Sequence, residues 1–312
     1  MITRPFGSTG LTLSALGLGC NNFGRRLDLE ATRRVVDAAL AAGITFIDTA
    51  DVYGDRGGSE RLLGETLGSR RKNVVLATKF GLPMDETGGL KGASRAYVMT
   101  AVEASLKRLK TDWIDLYYLH RPDPATPIEE TLGALDDLVR QGKVRFAGCS
   151  NLSGAQLADS IKIARERKHA GFAAAQDEYS ILARGIEADL VPVIERHGLA
   201  LIPYFPLASG LLTGKYRKGR PIPPGTRLAE ARSSTRFMNE KNIDVVERLA
   251  AFCAERGRTL LELAFGWLLS RRCIASVIAG ATSPEQVQQN AGALSWQLTA
   301  QEIAAVDRIT AQ

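Results

Sequence analysis

The chain has 312 residues, 45% of them hydrophobic and 24% charged, with a formal net charge of +6. That balance excludes a disordered chain, and the length suits one α/β barrel. The basic residues are scattered and no stretch approaches the ~20 apolar residues of a membrane span, so neither a nucleic-acid partner nor a membrane partner is expected. The opening MITRPFGSTG has no apolar signal core. Residues 3–14, around the GSTG turn, are expected to form a β-hairpin where a barrel floor would be plugged. From there short apolar runs alternate with amphipathic stretches. The expected strands are LGLG (16–19), ITFID (44–48), VVLATK (74–79), IDLYYLH (114–120), VRFAGCS (144–150), FAAAQ (172–176), LALIPY (199–204) and IASVIAG (274–280). Near-continuous apolar runs are what a parallel sheet covered on both faces requires.

The intervening stretches carry helical spacing. Val98, Val102, Leu106 and Leu109 share one face, and Ile128, Leu132, Leu135 and Val139 another. Thr126 with Glu129, Ser153 with Gln156 and Thr299 with Glu302 fit capping boxes, the first with Pro127 at the first helical position. Gly43, Gly68, Gly142, Gly198 and Gly257 stand where a left-handed residue ends a helix. The repeat predicts a (β/α)8 TIM barrel, one domain over 1–312. No G-x-G-x-x-G follows the first strand, which argues against a dinucleotide-binding open sheet. Residues 205–243 form a long loop after the seventh barrel strand, rich in Gly, Pro, Lys and Arg, and connections that long are usually functional. Cys20, Cys149, Cys253 and Cys273 form no CxxC pair. They are expected to be reduced thiols in a cytoplasmic protein, with neither disulfide nor zinc.

In such barrels chemistry sits at the C-terminal strand ends. The register puts Asp48, Lys79, His120, Ser150 with Asn151, Gln176 and Tyr204 there, and Tyr53 just beyond Asp48. Any one has an ordinary explanation: Asp48 and Lys79 as an internal ion pair, His120 as a core histidine. Together they fit proton donation to a carbonyl oxygen. A free tyrosine has a pKa of about 10, roughly three units above neutral. A neighbouring Lys79 ammonium lowers it, Asp48 holds Lys79, and His120 orients the substrate oxygen. A Schiff-base lysine is the rival, disfavoured because a paired ammonium is a poor nucleophile. A metal hydrolase is weaker, since of 3 histidines only His120 ends a strand. Asp51 is read as a turn residue, Trp113 and Trp267 as packing, His169 and His197 as solvated. Cys20 and Phe23 either line a substrate pocket or pack.

The stretches GITFIDTADVYG (43–54), LATKFG (76–81), LKTDWIDLYYLHRPD (109–123), GKVRFAGCSN (142–151), Gln176 with EYS (178–180), YFPLASGLLTGKY (204–216) and VIAGATSPEQVQQN (277–290) span nearly the whole chain. In that order they resemble the aldo-keto reductase superfamily. The resemblance implies reduction of a small-molecule aldehyde or ketone by NADP(H), in a monomer or weak homo-oligomer. Tyr53 matches the family's proton donor, and Asp48, Lys79 and His120 match its partners. Tyr204 would stack on the nicotinamide, flanked by Phe205 and Pro206, and Ser150, Asn151 and Gln176 would bond its carboxamide. Asp48 with Gly19, Cys20 and Asn21 would touch the ribose. Leu207, Gly210 and Lys215 would hold the pyrophosphate, and Gly280, Thr282, Ser283, Gln286 and Asn290 the adenosine end. Some relatives serve instead as cofactor-binding regulatory subunits. The chain departs from the family at 279–290, AGATSPEQVQQN, which has no basic residue where relatives often carry a cation. A helix N-terminus can take a phosphate without one, and the long loop supplies Lys215, Arg217, Lys218, Arg220, Arg227, Arg232 and Arg236. The expected cofactor is therefore NADP(H), with NAD(H) also usable.

Overall fold

Two antiparallel strands, β1 (Thr3–Pro5) and β2 (Thr12–Ser14), open the computed structural model, whose described residues are 1–226, 228–229 and 234–311. Phe6 and Leu13 from this hairpin are buried among Phe46, Leu116, Ile202 and Ala275 inside the barrel. Phe6 meets Phe146 edge-on at 5.6 Å. The hairpin therefore closes the floor. Gly7 makes the approach possible: at φ +54 an added Cβ would stand 2.7 Å from the Gly198 carbonyl.

The barrel follows in chain order: β3 (Leu16–Gly19), α1 (Leu29–Ala41), β4 (Phe46–Asp48), α2 (Tyr53–Leu67), β5 (Val75–Phe80), α3 (Arg95–Leu109), β6 (Ile114–Leu119), α4 (Ile128–Arg140), β7 (Val144–Ser150), α5 (Gly154–Arg167), β8 (Phe172–Gln176), α6 (Leu190–His197), β9 (Ala200–Leu201), α7 (Ser234–Phe237), α8 (Glu240–Ala254), α9 (Leu260–Leu269), β10 (Val277–Gly280), α10 (Pro284–Gly292) and α11 (Ala300–Thr310). The 8-stranded sheet runs β10-β3-β4-β5-β6-β7-β8-β9, every pair parallel. The ring closes between β9 and the segment entering β10. Leu201 N–H donates to the Cys273 carbonyl at 2.7 Å, and Ala275 N–H to the Leu201 carbonyl at 3.0 Å.

The expected strands form, but β9 covers two residues of the anticipated six-residue run. Pro203 has no N–H to extend the ladder, although its carbonyl accepts from Ile278 at 3.3 Å. Ser153 with Gln156 and Thr299 with Glu302 form capping boxes, as does Thr259 with Glu262. The Thr126 box does not form: α4 is preceded by Pro127 with no side-chain cap, and the Thr126 hydroxyl donates to Asp123 at 2.8 Å. Gly43, Gly142, Gly198 and Gly257 have the expected positive φ. Gly68 also has φ +50, but ψ −130 takes it out of the left-handed helical region.

The barrel's other end holds a buried ion cluster. Arg71 pairs with Asp115 at 2.8 Å, both side chains almost fully enclosed, and Arg145 joins at 3.0 Å. Trp113 donates its indole N–H to Asp115 at 3.2 Å and lies beneath the Arg71 guanidinium. The stretch 109–123 thus does two jobs: its first half braces the floor of β6, and His120 stands at the opposite end.

Candidate active site

Alternation along the strands builds the site. Inward-facing Phe46, Ala77, Leu116 and Ala174 fill the barrel. Two residues further along the same faces lie Asp48, Lys79, Tyr118 and Gln176, with His120 one more step up β6. Tyr53 opens α2 beyond β4, where Gly54, Asp55, Arg56 and Gly57 all have positive φ. A Cβ on Gly54 would stand 2.3 Å from the Phe23 carbonyl and 2.5 Å from the Ser59 N, so the turn that presents Tyr53 needs glycine there.

Lys79 is fully buried. Its ammonium donates to Asp48 Oδ2 at 2.7 Å and to the Thr49 carbonyl at 2.7 Å. It also lies 5.1 Å from the centre of the Tyr53 ring, close enough for the two groups to shift each other's pKa. Gln176 Nε2 donates to Asp48 Oδ1 at 2.8 Å, so both carboxylate oxygens are held. The Tyr53 and His120 rings meet edge-on at 5.9 Å. Ser150 donates to the Gln176 carbonyl at 2.6 Å. Asn151, at φ +63, donates to the His120 carbonyl at 3.1 Å and accepts the Tyr204 hydroxyl at 2.7 Å.

The electrostatics correct one expectation. Burial raises the Tyr53 pKa and outweighs the Lys79 charge, which works the other way, so the net shift is upward. Lys79 is also raised: burial opposes its charge, but Asp48 and Tyr53 together overrule that. His120 is pulled down to about 3 by burial first, then by Lys79 and Arg121. It is therefore neutral at physiological pH, and its Nδ1 is buried without a partner. The arrangement is a neutral phenol on a fixed ammonium beside a neutral imidazole.

These groups open into a cleft of about 740 Å³ across the barrel mouth. Asp48, Tyr53, His120, Ser150, Asn151, Gln176 and Tyr204 line its inner end. Gly19, Cys20 and Asn21, then Phe205, Pro206, Leu207, Gly210 and Lys215, then Gly280, Thr282, Gln286 and Asn290 continue it. Ser283 is not in that wall; its hydroxyl caps α10 by accepting from Gln286 N–H at 3.4 Å. Phe23 and Cys20 both pack in the core, and Cys20 also borders the cleft. Of the loop cations, Lys215 and Arg236 border the cleft. Arg217 and Lys218 instead pair with Glu247 and Asp244 at 3.5 and 2.6 Å, and Arg220 stands beside Arg217, Lys218 and Glu247 away from it. Arg227 and Arg232 lie outside the described residues.

Sequence reasoning missed several wall residues. Asn22, Arg26, Arg121, Glu178 and Gln289 all line the cleft. Arg121 and Glu178 carried a usable signal, since Arg121 follows His120 directly and Glu178 stands two residues beyond Gln176. Asp51 lies in a turn, as expected, but is buried there. It is 1% exposed with neither carboxylate oxygen partnered, and burial and then Glu60 push its pKa well up. Nor is His169 simply solvated, for it contacts Asp136 at 3.4 Å, and His197 bonds Arg165 at 3.1 Å. Trp267 is core, as expected.

Comparison with known proteins gives the same frame. The chain is 36% identical over 298 residues to a probable voltage-gated potassium channel subunit beta of Arabidopsis thaliana, covering 92% of this chain and 89% of that protein. It is 33% identical over 318 residues to L-glyceraldehyde 3-phosphate reductase of Escherichia coli (strain K12), covering 98% and 91%. Against probable aldo-keto reductase 1 of Glycine max it is 35% identical over 308 residues, covering 95% and 85%. Residues 15–311 match the family description Aldo/keto reductase, a class of carbonyl-reducing oxidoreductases that generally use nicotinamide cofactors, and the chain belongs to that family.

Proposed function

We propose that this chain reduces an aldehyde or ketone carbonyl with NADP(H), Tyr53 donating the proton. The observation that carries the reading is Lys79 Nζ, held 2.7 Å from Asp48 and 5.1 Å from the centre of the Tyr53 ring, which meets the His120 ring edge-on. The cleft fits an extended dinucleotide. It is about 740 Å³ in volume and runs from this cluster to the α10 N-terminus, where Thr282 N–H is satisfied by Gln286 Oε1 at 2.8 Å. Asn151, Gln176 and Tyr204 would hold the nicotinamide end, Lys215 and Gly210 the pyrophosphate, and Thr282, Gln286 and Asn290 the adenosine end. Bound there, the reduced nicotinamide supplies a hydride to the carbonyl carbon.

The rest is done by this chain's side chains. His120, neutral, can donate to the carbonyl oxygen and orient it without competing charge. Tyr53 gives its proton to that oxygen, and Lys79 stabilises the phenolate left behind. Asp48 and the Thr49 carbonyl keep the ammonium from swinging away. The phosphate preference rests on the α10 N-terminus and on Lys215, so NADPH should be favoured with NADH still usable.

A second reading is a cofactor-binding regulatory subunit, since the Arabidopsis relative is named as a probable channel subunit beta. The complete Asp48–Tyr53–Lys79–His120 group favours turnover. The deciding assay is NADPH and NADH consumption with nitrobenzaldehyde and methylglyoxal. Oxidation with a kcat/KM ratio above one for NADPH supports the proposal. A ratio below one overturns the cofactor assignment, and tight cofactor binding without oxidation favours the regulatory role.

A further inference from the structure

The substrate end of the cleft carries a cation that the chemistry above does not use. Arg121 follows His120 at the end of β6 and lines the cleft with Tyr53, His120 and Tyr204. The carboxylates in that wall are already matched: Asp48 by Lys79 at 2.7 Å, and Glu178 by Arg236 at 2.8 Å. Arg121 is exposed and makes no hydrogen bond or ion pair among the described residues. Its charge nevertheless reaches the site, acting on both His120 and Tyr204.

Topology separates it from the end that would take the cofactor's phosphates. In the ring order β10-β3-β4-β5-β6-β7-β8-β9, β6 stands diametrically opposite β10. The segment holding Gly280, Thr282 and Gln286 leaves β10, and Lys215 lies in the loop after β9, the strand next to β10 across the closed seam. An anion on Arg121 would therefore be a second anion, beside the reacting centre. With His120 neutral and the Asp48–Lys79 pair balanced, Arg121 is an unpaired charge acting on His120 and Tyr204. A guanidinium presents a planar fork that matches a carboxylate or a phosphate.

We propose that Arg121 anchors an anionic group, carboxylate or phosphate, on the carbonyl substrate, so that the chain prefers acidic aldehydes to neutral ones. This rests on the reductase reading for turnover, though not for binding. The anchor acts on recognition, so it should appear mainly in KM. A charge-assisted contact in a partly open cleft should give a preference of roughly tenfold, shrinking as salt screens it.

The experiment compares matched pairs in wild type, Arg121→Gln and Arg121→Lys: 4-carboxybenzaldehyde against 4-nitrobenzaldehyde, and glycolaldehyde phosphate against glycolaldehyde. The kcat/KM ratio within each pair is measured at low and high salt. Calorimetric binding of the same compounds to the protein loaded with oxidised cofactor gives a readout independent of turnover. The proposal expects a ratio near ten in the wild type, collapse towards one in Arg121→Gln and partial recovery in Arg121→Lys. The pair showing the larger ratio identifies carboxylate or phosphate. Equal ratios in wild type and Arg121→Gln, in binding as in rate, would overturn it and leave Arg121 a solvated arginine. Anion-selective binding lost in Arg121→Gln with no turnover in any variant would uphold the anchor while removing the reductase reading.

Discussion

At the scale of single residues, Lys79 carries the largest energetic risk. It is 0% exposed, and its charge is tolerable because Asp48, the Thr49 carbonyl and Tyr53 surround it. Lys79→Met leaves Asp48 buried without its cation, and losing one member of a buried pair costs about 3–5 kcal/mol. We expect a matching fall in the urea midpoint together with a suppressed kcat. Normal stability in that variant would contradict the buried pair. His120 gives a pH prediction. Its folded pKa of about 3 lies below the ~6.5 of an unfolded histidine. Between those values the unfolded chain binds the proton and the folded chain does not, so stability falls as pH drops through that window. Asp177, raised to about 7 by burial, has the opposite sign. The check is therefore the difference between wild type and His120→Gln: the variant should lose less melting temperature from pH 7 to pH 4. Identical slopes would mean that His120 is not held neutral. The strand-end residues were legible because inward and outward positions alternate with period two, which places Asp48, Lys79 and Gln176 once one core residue per strand is known. The Tyr53 shift was not legible. It depends on how completely neighbouring elements exclude water, and no local pattern records that.

At the scale of elements, the two ends of one strand have different jobs. Asp115, at the start of β6, accepts from Leu76 N–H at 2.9 Å and holds Arg71 and Arg145. His120, at the other end, belongs to the cleft. Asp115→Ala strands the buried Arg71 guanidinium, and we expect a loss of about 3–5 kcal/mol from chemical denaturation. Activity per folded molecule should survive, because in this architecture the N-terminal face serves stability rather than chemistry. A kcat that fell with unchanged stability would reverse that division. The element boundaries show where local signals compete. Ser153 and Thr299 cap their helices as their sequences indicate, but Thr126 gives its hydroxyl to Asp123 in the preceding turn. A capping pattern offers one hydrogen bond, and a nearby carboxylate can outbid it.

At the scale of the whole molecule, the ring of eight parallel strands brings together groups from β4, β5, β6, β8 and the loops beyond them. The alternating pattern made this architecture legible, and the GSTG turn marked the hairpin that Phe6 and Leu13 seat in the floor. The roles of the loop cations were not legible. Charge alone does not distinguish Lys215 in the cleft from Lys218, paired with Asp244 on α8. The central claim is that this assembly protonates a carbonyl oxygen through Tyr53. The most direct measurement is aldehyde-dependent NADPH oxidation by wild type and Tyr53→Phe, with cofactor affinity measured in parallel. General acid catalysis contributes about 10²–10⁴-fold. The account predicts a kcat loss of that order with cofactor affinity nearly intact; a phenylalanine variant that keeps most of its activity would contradict it.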